Sequence, residues 1–193
     1  MFYIFNHRIT QWHNVTLQAE IRNYQPLYDQ LQRAWWYGGD IPLKPDRFVF
    51  EINDQAPLLD NYWTGTVFDL YSAKLISIFG SCNITFETFS ASLVRKRTLK
   101  PIEAKYEVFR LLELSDAIDE QRTSYKRIDY KNISIRKIEH LYLTDEFMNK
   151  PKPITRILNH GYLTVVTEEV KNLLEENLIT GCDFTAIDQY TEL

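Results

Sequence analysis

The chain has 193 residues and a formal net charge of −4; 45% of its residues are hydrophobic, 14% aromatic and 25% charged. That is enough apolar material for one core, in one or two lobes, and it excludes a disordered chain. No apolar run approaches the ~20 residues a membrane helix needs. "MFYIFNHRIT" lacks a charged start, an apolar stretch and a small-residue cleavage site, so the expected compartment is the cytosol.

"FYIFNHRI" (2–9) alternates poorly but is aromatic and β-branched, which predicts an opening strand. "PLYDQLQRAWW" (26–36) predicts a helix. Pro26 suits its first turn, Leu27, Leu31, Ala34 and Trp35 share a face, and Gly38 and Gly39 end it. "RFVFEI" (47–52) alternates like a strand, and 53–66, with Pro57 and Gly65, reads as loop.

Next comes "SIFGSCNITFETF" (77–89), which aligns without a gap on "NLLEENLITGCDF" (172–184), 95 residues later. Ser72 and Thr167 are the expected N-caps of two short helices. Leu75, Ile78 and Phe79 on one match Val170, Leu173 and Leu174 on the other. Ile84 and Thr85 match Ile179 and Thr180, and Phe89 matches Phe184. We therefore expect the same helix-turn-strand shape at 72–89 and 167–184. Phe86 departs from the pattern, standing where the second copy has Gly181.

Between the copies, "AKYEVFRLLEL" (104–114) puts Tyr106, Val108, Arg110 and Leu112 on one side of a strand. "NISIRKIEHLYLT" (132–144) predicts a strand broken by a bend. "ITRIL" (154–158) and "YLTVV" (162–166) are short strands, with Gly161 in the turn between them. Helices and strands do not alternate regularly. The expected fold is an α+β domain with a mixed, mainly antiparallel sheet and a few short helices. No Gly-, Ser- or Pro-rich linker divides it, so one compact unit is expected.

Chemistry is sparse. There is no Gly-x-Gly-x-x-Gly, Walker loop, His-Glu-x-x-His or Gly-x-Ser-x-Gly. His7, His13, His140 and His160 are scattered, and no metal or cofactor is expected. Cys82 and Cys182 have no metal spacing and read as small core residues. Arg95, Lys96, Arg97 and Lys100 form a basic run that reads as a charged strand end; salt-sensitive RNA binding is the weaker alternative. Trp35, Trp36 and Tyr37 cannot all face one core, because neighbours on a helix point about 100° apart. Asp116, Asp119 and Glu120 cluster in "LSDAIDEQRTSYK" (114–126), the one grouping from which a hydrolase could be argued.

Charge is uneven. Over 160–193, seven acids face Lys171 alone, a local charge of −6 against +2 for the rest. Glu168, Glu169, Asn172, Glu175 and Glu176 avoid the apolar stripe of the last predicted helix and should form a solvent-facing negative surface.

In "YEVFRLLELSDAIDEQRTSY" (106–125), "IEHLYLTDE" (138–146), "ITRIL" and "VTEEVKNLLEENLITGCDF" (166–184), the chain resembles bacterial polymorphic-toxin immunity proteins of the immunity protein 11 and 43 types. The shared features are a Tyr-x-Val strand, an Asp-Ala-Ile-Asp turn followed by Ser and Tyr, and a Ser/Thr-capped helix with Leu-x-Glu. Ile-Thr-Gly and an aromatic strand then close the pattern. The resemblance covers about 62–186 of this chain. It implies an immunity-like part at 61–193 and a variable part at 1–60. It also implies a cytosolic antidote with no activity of its own, no nucleic-acid or membrane partner, and a cognate toxin domain as its protein partner. The expected toxin-binding residues are Glu168, Glu169, Asn172, Glu175 and Glu176, with Trp35, Trp36 and Tyr37.

Overall fold

The computed structural model describes all residues except 9–10, 13–14, 17, 25–33, 37–39, 42–44, 131–132, 159 and 193. In chain order the strands are β1 (Phe2–His7), β2 (Gln11–Trp12), β3 (Val15–Thr16), β4 (Glu20–Ile21), β5 (Phe48–Ile52), β6 (Asn61–Tyr62), β7 (Asp69–Ser72), β8 (Phe86–Arg95), β9 (Pro101–Leu111), β10 (Leu114–Ser115), β11 (Ser124–Tyr130), β12 (Ile133–His140), β13 (Ile154–Ile157), β14 (His160–Thr167) and β15 (Cys182–Ala186). Three α-helices are described: α1 (Ala73–Ser81), α2 (Asp145–Asn149) and α3 (Glu168–Glu176).

Of the two large sheets, one runs β4-β5-β8-β9-β7-β6 and the other β10-β13-β14-β1-β15, while β2-β3 and β11-β12 form two-stranded sheets. Each large sheet is antiparallel but for one pair, β5 with β8 and β10 with β13. The α+β fold with mainly antiparallel sheets is thus present. Residues 1–60 supply β1 to the middle of one sheet and β4 and β5 to the other. A line at residue 60 therefore separates no packing unit.

The repeated unit holds residue by residue. Ser72 (φ −68°, ψ 156°) and Thr167 (φ −74°, ψ 161°) precede helices of nine residues each. The helices end at Cys82 (φ −83°, ψ 8°) and Asn177 (φ −83°, ψ 5°). The next residues, Asn83 and Leu178, are left-handed at φ 52° and 53°. A leucine pays more than an asparagine for that conformation. One expectation needs correction: the Ser72 hydroxyl accepts from the Leu75 amide at 3.2 Å, whereas Thr167 makes no side-chain cap bond.

The likeness extends to topology. In the first unit, β7 and β8 flank β9; in the second, β14 and β15 flank β1. Each is a strand-helix-strand crossover with an antiparallel strand between its parallel ends. The middle strand follows the first unit in the chain but precedes the second, so the second is a circular permutation of the first.

The threonine after each helix is clamped to a carboxylate. Thr180 donates its amide and hydroxyl to Asp60 Oδ2, each at 2.9 Å. Thr85 donates the same two groups to Glu113 Oε1 at 3.1 and 2.8 Å. The backbone amides of Asn61 and Leu112 return to the carbonyls of Thr180 and Thr85. Burial raises the Asp60 carboxyl, but hydrogen bonds from Ser72 and Thr180 and the charge of Lys74 outweigh it and leave its pKa lowered. A carboxyl with a folded pKa below its unfolded one stabilises above the unfolded value of about 4. That contribution is lost as pH falls through the folded pKa. Asp60→Asn should therefore flatten the acid limb of the stability profile below about pH 4. Guanidinium unfolding over a pH series checks this; an unchanged slope would contradict it.

Burial explains the irregular patterning. In β1, Phe5 joins a core shared with both helices (Leu75, Phe79, Val170, Leu174), while Ile4 faces a second core with Ile138, Leu143 and Phe147. A strand covered on both faces shows no clean alternation. β9 is similar, with Val108 in a core against Trp35 and Phe48, and Phe109 on the helix side. Two further expectations are corrected. The 53–66 stretch contains β6, whose Asn61 and Tyr62 are buried because β6 pairs with β7. Gly161 lies inside β14 rather than in a turn, pressed against Trp36; a Cβ there would sit 2.5 Å from the Trp36 Cβ. Cys82 and Cys182 are free, Cys182 is buried, and burial pushes its thiol up to about 12.

Candidate functional site

Glu168, Glu169, Asn172, Glu175 and Glu176 are all exposed on α3, while Val170 and Leu174 are buried beneath them. Lys171 lies to the flank, reaching Glu175 Oε2 at 2.7 Å and standing 5.3 Å from the centre of the Tyr3 ring. Glu168 receives a hydrogen bond from the Tyr3 hydroxyl at 3.5 Å. Glu169 and Glu176 form no ion pair among the described residues. The negative face is therefore only partly neutralised within the chain.

The helix copies differ with a structural consequence. Lys74 on α1 corresponds to Glu169, and its Nζ donates to the Asn177 carbonyl at 2.6 Å. The lysine thus caps the C-terminal end of α3, where a cation is favoured.

An apolar groove of about 400 Å³ opens beside the start of α3, lined by Met1, Phe2, Tyr142, Leu143, Met148 and Ile187 among others. The two are contiguous, because the Glu168 amide donates to the Met1 carbonyl at 3.0 Å. Met1, Tyr142 and Met148 are among the exposed large apolar residues.

The aromatic cluster divides. Trp35 is fully buried, edge-on to Phe68 with ring centres 4.8 Å apart, so it offers no surface to a partner. Trp36 is half-buried against Gly161 and Tyr162. Residues 34–36 are helical; the rest of the expected helix, Tyr37, and the stop at Gly38 and Gly39 lie outside the described residues, as does His13.

Two of the three clustered carboxylates are engaged, each with different partners. Asp119 Oδ1 accepts from the amides of Gln121 and Arg122 at 3.0 and 3.1 Å, closing a turn. Glu120 accepts from the Tyr125 hydroxyl at 2.9 Å, and Asp116 is exposed. The basic run is partly consumed too. Arg95 ties down the carbonyls of Asn53 and Ala56, both at 2.9 Å. Lys96 holds Glu20 at 2.7 Å, and the pairing lowers the Glu20 pKa.

A partly buried charge cluster joins the two large sheets. Asp69 of β7 receives Arg156 of β13 (Nη2, 2.9 Å) and stands 3.3 Å from Nε2 of His7 on β1. Arg156 also reaches the Trp35 carbonyl at 3.4 Å, and Arg110 of β9 reaches the Ala34 carbonyl at 2.7 Å. Both arginines are buried. The sequence reading did not single out this cluster. A signal was available: Arg110, Arg156 and Asp69 each interrupt an apolar strand run ("EVFRLL", "ITRIL", "VFDLY"). A charge in such a place needs a buried partner.

No protein-family model matches this chain, and no curated protein matches it. Among the described residues no helix is long and apolar enough to cross a membrane.

Proposed function

We propose that the chain is an immunity protein: a cytosolic antidote that binds a cognate bacterial toxin domain and blocks it by contact, with no activity of its own. The observation that carries this reading is the exposed acidic face of α3, continuous with an apolar groove. Apolar contact area bordered by charge is the usual build of a protein interface. Many toxins that act on nucleic acids are basic, and a negative face steers and seats such a partner. The sequence resemblance over 62–186 points the same way.

The test is charge reversal of Glu168, Glu169, Glu175 and Glu176 to lysine, with binding to a candidate toxin domain, chosen from any toxin gene found beside this one, followed by calorimetry. The fold should survive, since exposed substitutions usually shift stability by about ±0.5 kcal/mol each. Lysines at 168 and 169 oppose the helix dipole and cost slightly more. Binding should weaken by several kcal/mol where like charges are juxtaposed. The loss should shrink with salt, because the Debye length is about 8 Å at physiological ionic strength. Unchanged binding would move the interface away from α3.

A further inference from the structure

The groove beside α3 is open, and its chemistry narrows what can fill it. Both methionines of the chain, Met1 and Met148, line it with Phe2, Tyr142 and Ile187. Met1, Met148 and Tyr142 are 70%, 41% and 42% exposed, so this apolar wall faces solvent. Thioether side chains adapt to a partner's shape. A cavity of about 150 Å³ encloses one benzene-sized group, so about 400 Å³ receives two or three apolar side chains.

The backbone around the groove offers little to an incoming strand. β1, which carries Phe2, lies between β14 and β15. The carbonyls of Met1 and Tyr142 already accept the amides of Glu168 and Asp119, at 3.0 and 2.9 Å. A helix satisfies its own backbone and docks by side chains alone, through apolar residues at i, i+3, i+4 and i+7. Charge selects among helices. Arg122, His140 and Asp188 also line the groove. Arg122 is spent on Asp119 at 3.9 Å and on the Tyr142 ring, whose centre is 4.7 Å from its guanidinium. The Met1 ammonium lies 3.4 Å from Glu168. Asp188, Glu169 and Glu176 form no ion pair among the described residues. Asp145 and Glu146 stand exposed on α2, the helix that carries Met148. The surplus charge is therefore negative. It repels an anionic bilayer, a nucleic acid and the same face of a second copy, and it attracts a basic protein segment.

We infer that this groove docks a cationic amphipathic helix of a partner protein, its apolar stripe against Met1, Tyr142 and Met148 and its basic flank toward α3. The inference rests on the immunity reading only in taking that partner to be the toxin. The full chain, labelled with ¹³C at the methionine methyls, gives two signals, both from the groove. It is titrated in mildly alkaline buffer with a designed peptide of about four turns, leucine along one stripe and lysine elsewhere. The controls are a scrambled peptide of the same composition and one with glutamate for lysine. The cationic amphipathic peptide should saturate, move both signals, and bind at least about tenfold tighter than either control. Met148→Lys, a change at an exposed position, should weaken it about tenfold, read at Met1. Equal binding of the glutamate peptide would make the groove merely apolar, and equal binding of the scramble would make the attraction merely ionic; either overturns the inference. So does a methionine signal that stays still at saturation. Broadening of both signals by vesicles of phosphatidylcholine and phosphatidylglycerol, or the same shifts on concentrating the chain alone, would seat a lipid or a second copy there and overturn it too. A chain that ignores the peptide but still inhibits a toxin loses this groove and keeps the immunity reading; a chain that binds the peptide but inhibits no toxin does the reverse.

Discussion

Gly181→Ala is expected to lower stability by about 3 kcal/mol or more, or to prevent folding. Two costs combine. Gly181 has φ +80°, a region where a Cβ costs roughly 1–2 kcal/mol. The added Cβ would also lie 2.2 Å from the Asn61 carbonyl oxygen, which is backbone and cannot swing aside. That backbone is fixed on both sides, by β6 pairing and by the Thr180–Asp60 clamp. Gly65 supplies the control: its φ is +66°, and a Cβ there would meet nothing within 4 Å. Gly65→Ala should show the conformational cost alone. Chemical denaturation of both variants gives the difference; equal losses would show that the Asn61 backbone does not approach Gly181 as described.

The second large effect is expected from Asp69→Ala, at about 3 kcal/mol. Removing one partner of a buried ion pair leaves the other charge uncompensated, at roughly 3–5 kcal/mol. The lower end applies because the Asp69 side chain keeps 18% of its exposure, while that of Arg156 keeps 4%. Adding Arg156→Met should recover part of the loss, since replacing both charges removes the buried orphan. Denaturation of the two single variants and the double variant measures the coupling. A loss below about 1 kcal/mol for Asp69→Ala would place the pair in the class of surface ion pairs.

The contrast between these positions shows what was legible in the chain. The repeat could be read because short capped helices carry local signals. Ser72 and Thr167, the apolar spacing of Leu75 with Phe79 and Val170 with Leu174, and Ile-Thr after each helix all lie within a few residues. The exposed face of α3 followed from the same spacing. The permutation was not legible, because nothing local in "FYIFNH" tells it to lie between β14 and β15. Gly161 was misplaced because a glycine that admits Trp36 from 125 residues away looks, in sequence, like a turn glycine. The Phe86/Gly181 departure, by contrast, carried real information. Only the second unit brings foreign backbone to within 2.2 Å of where a Cβ would stand, so only it needs glycine there. The charge cluster stayed hidden because its members come from four strands of two sheets.

The proposal that this chain blocks a toxin by contact is open to one direct measurement. The purified full chain is added in increasing amounts to a candidate toxin domain, chosen from any toxin gene found beside its own, and the toxin's own activity is followed. The account predicts that activity falls to zero at one equivalent, with the chain recovered chemically unchanged. Toxin activity that persists in the presence of excess chain would contradict it.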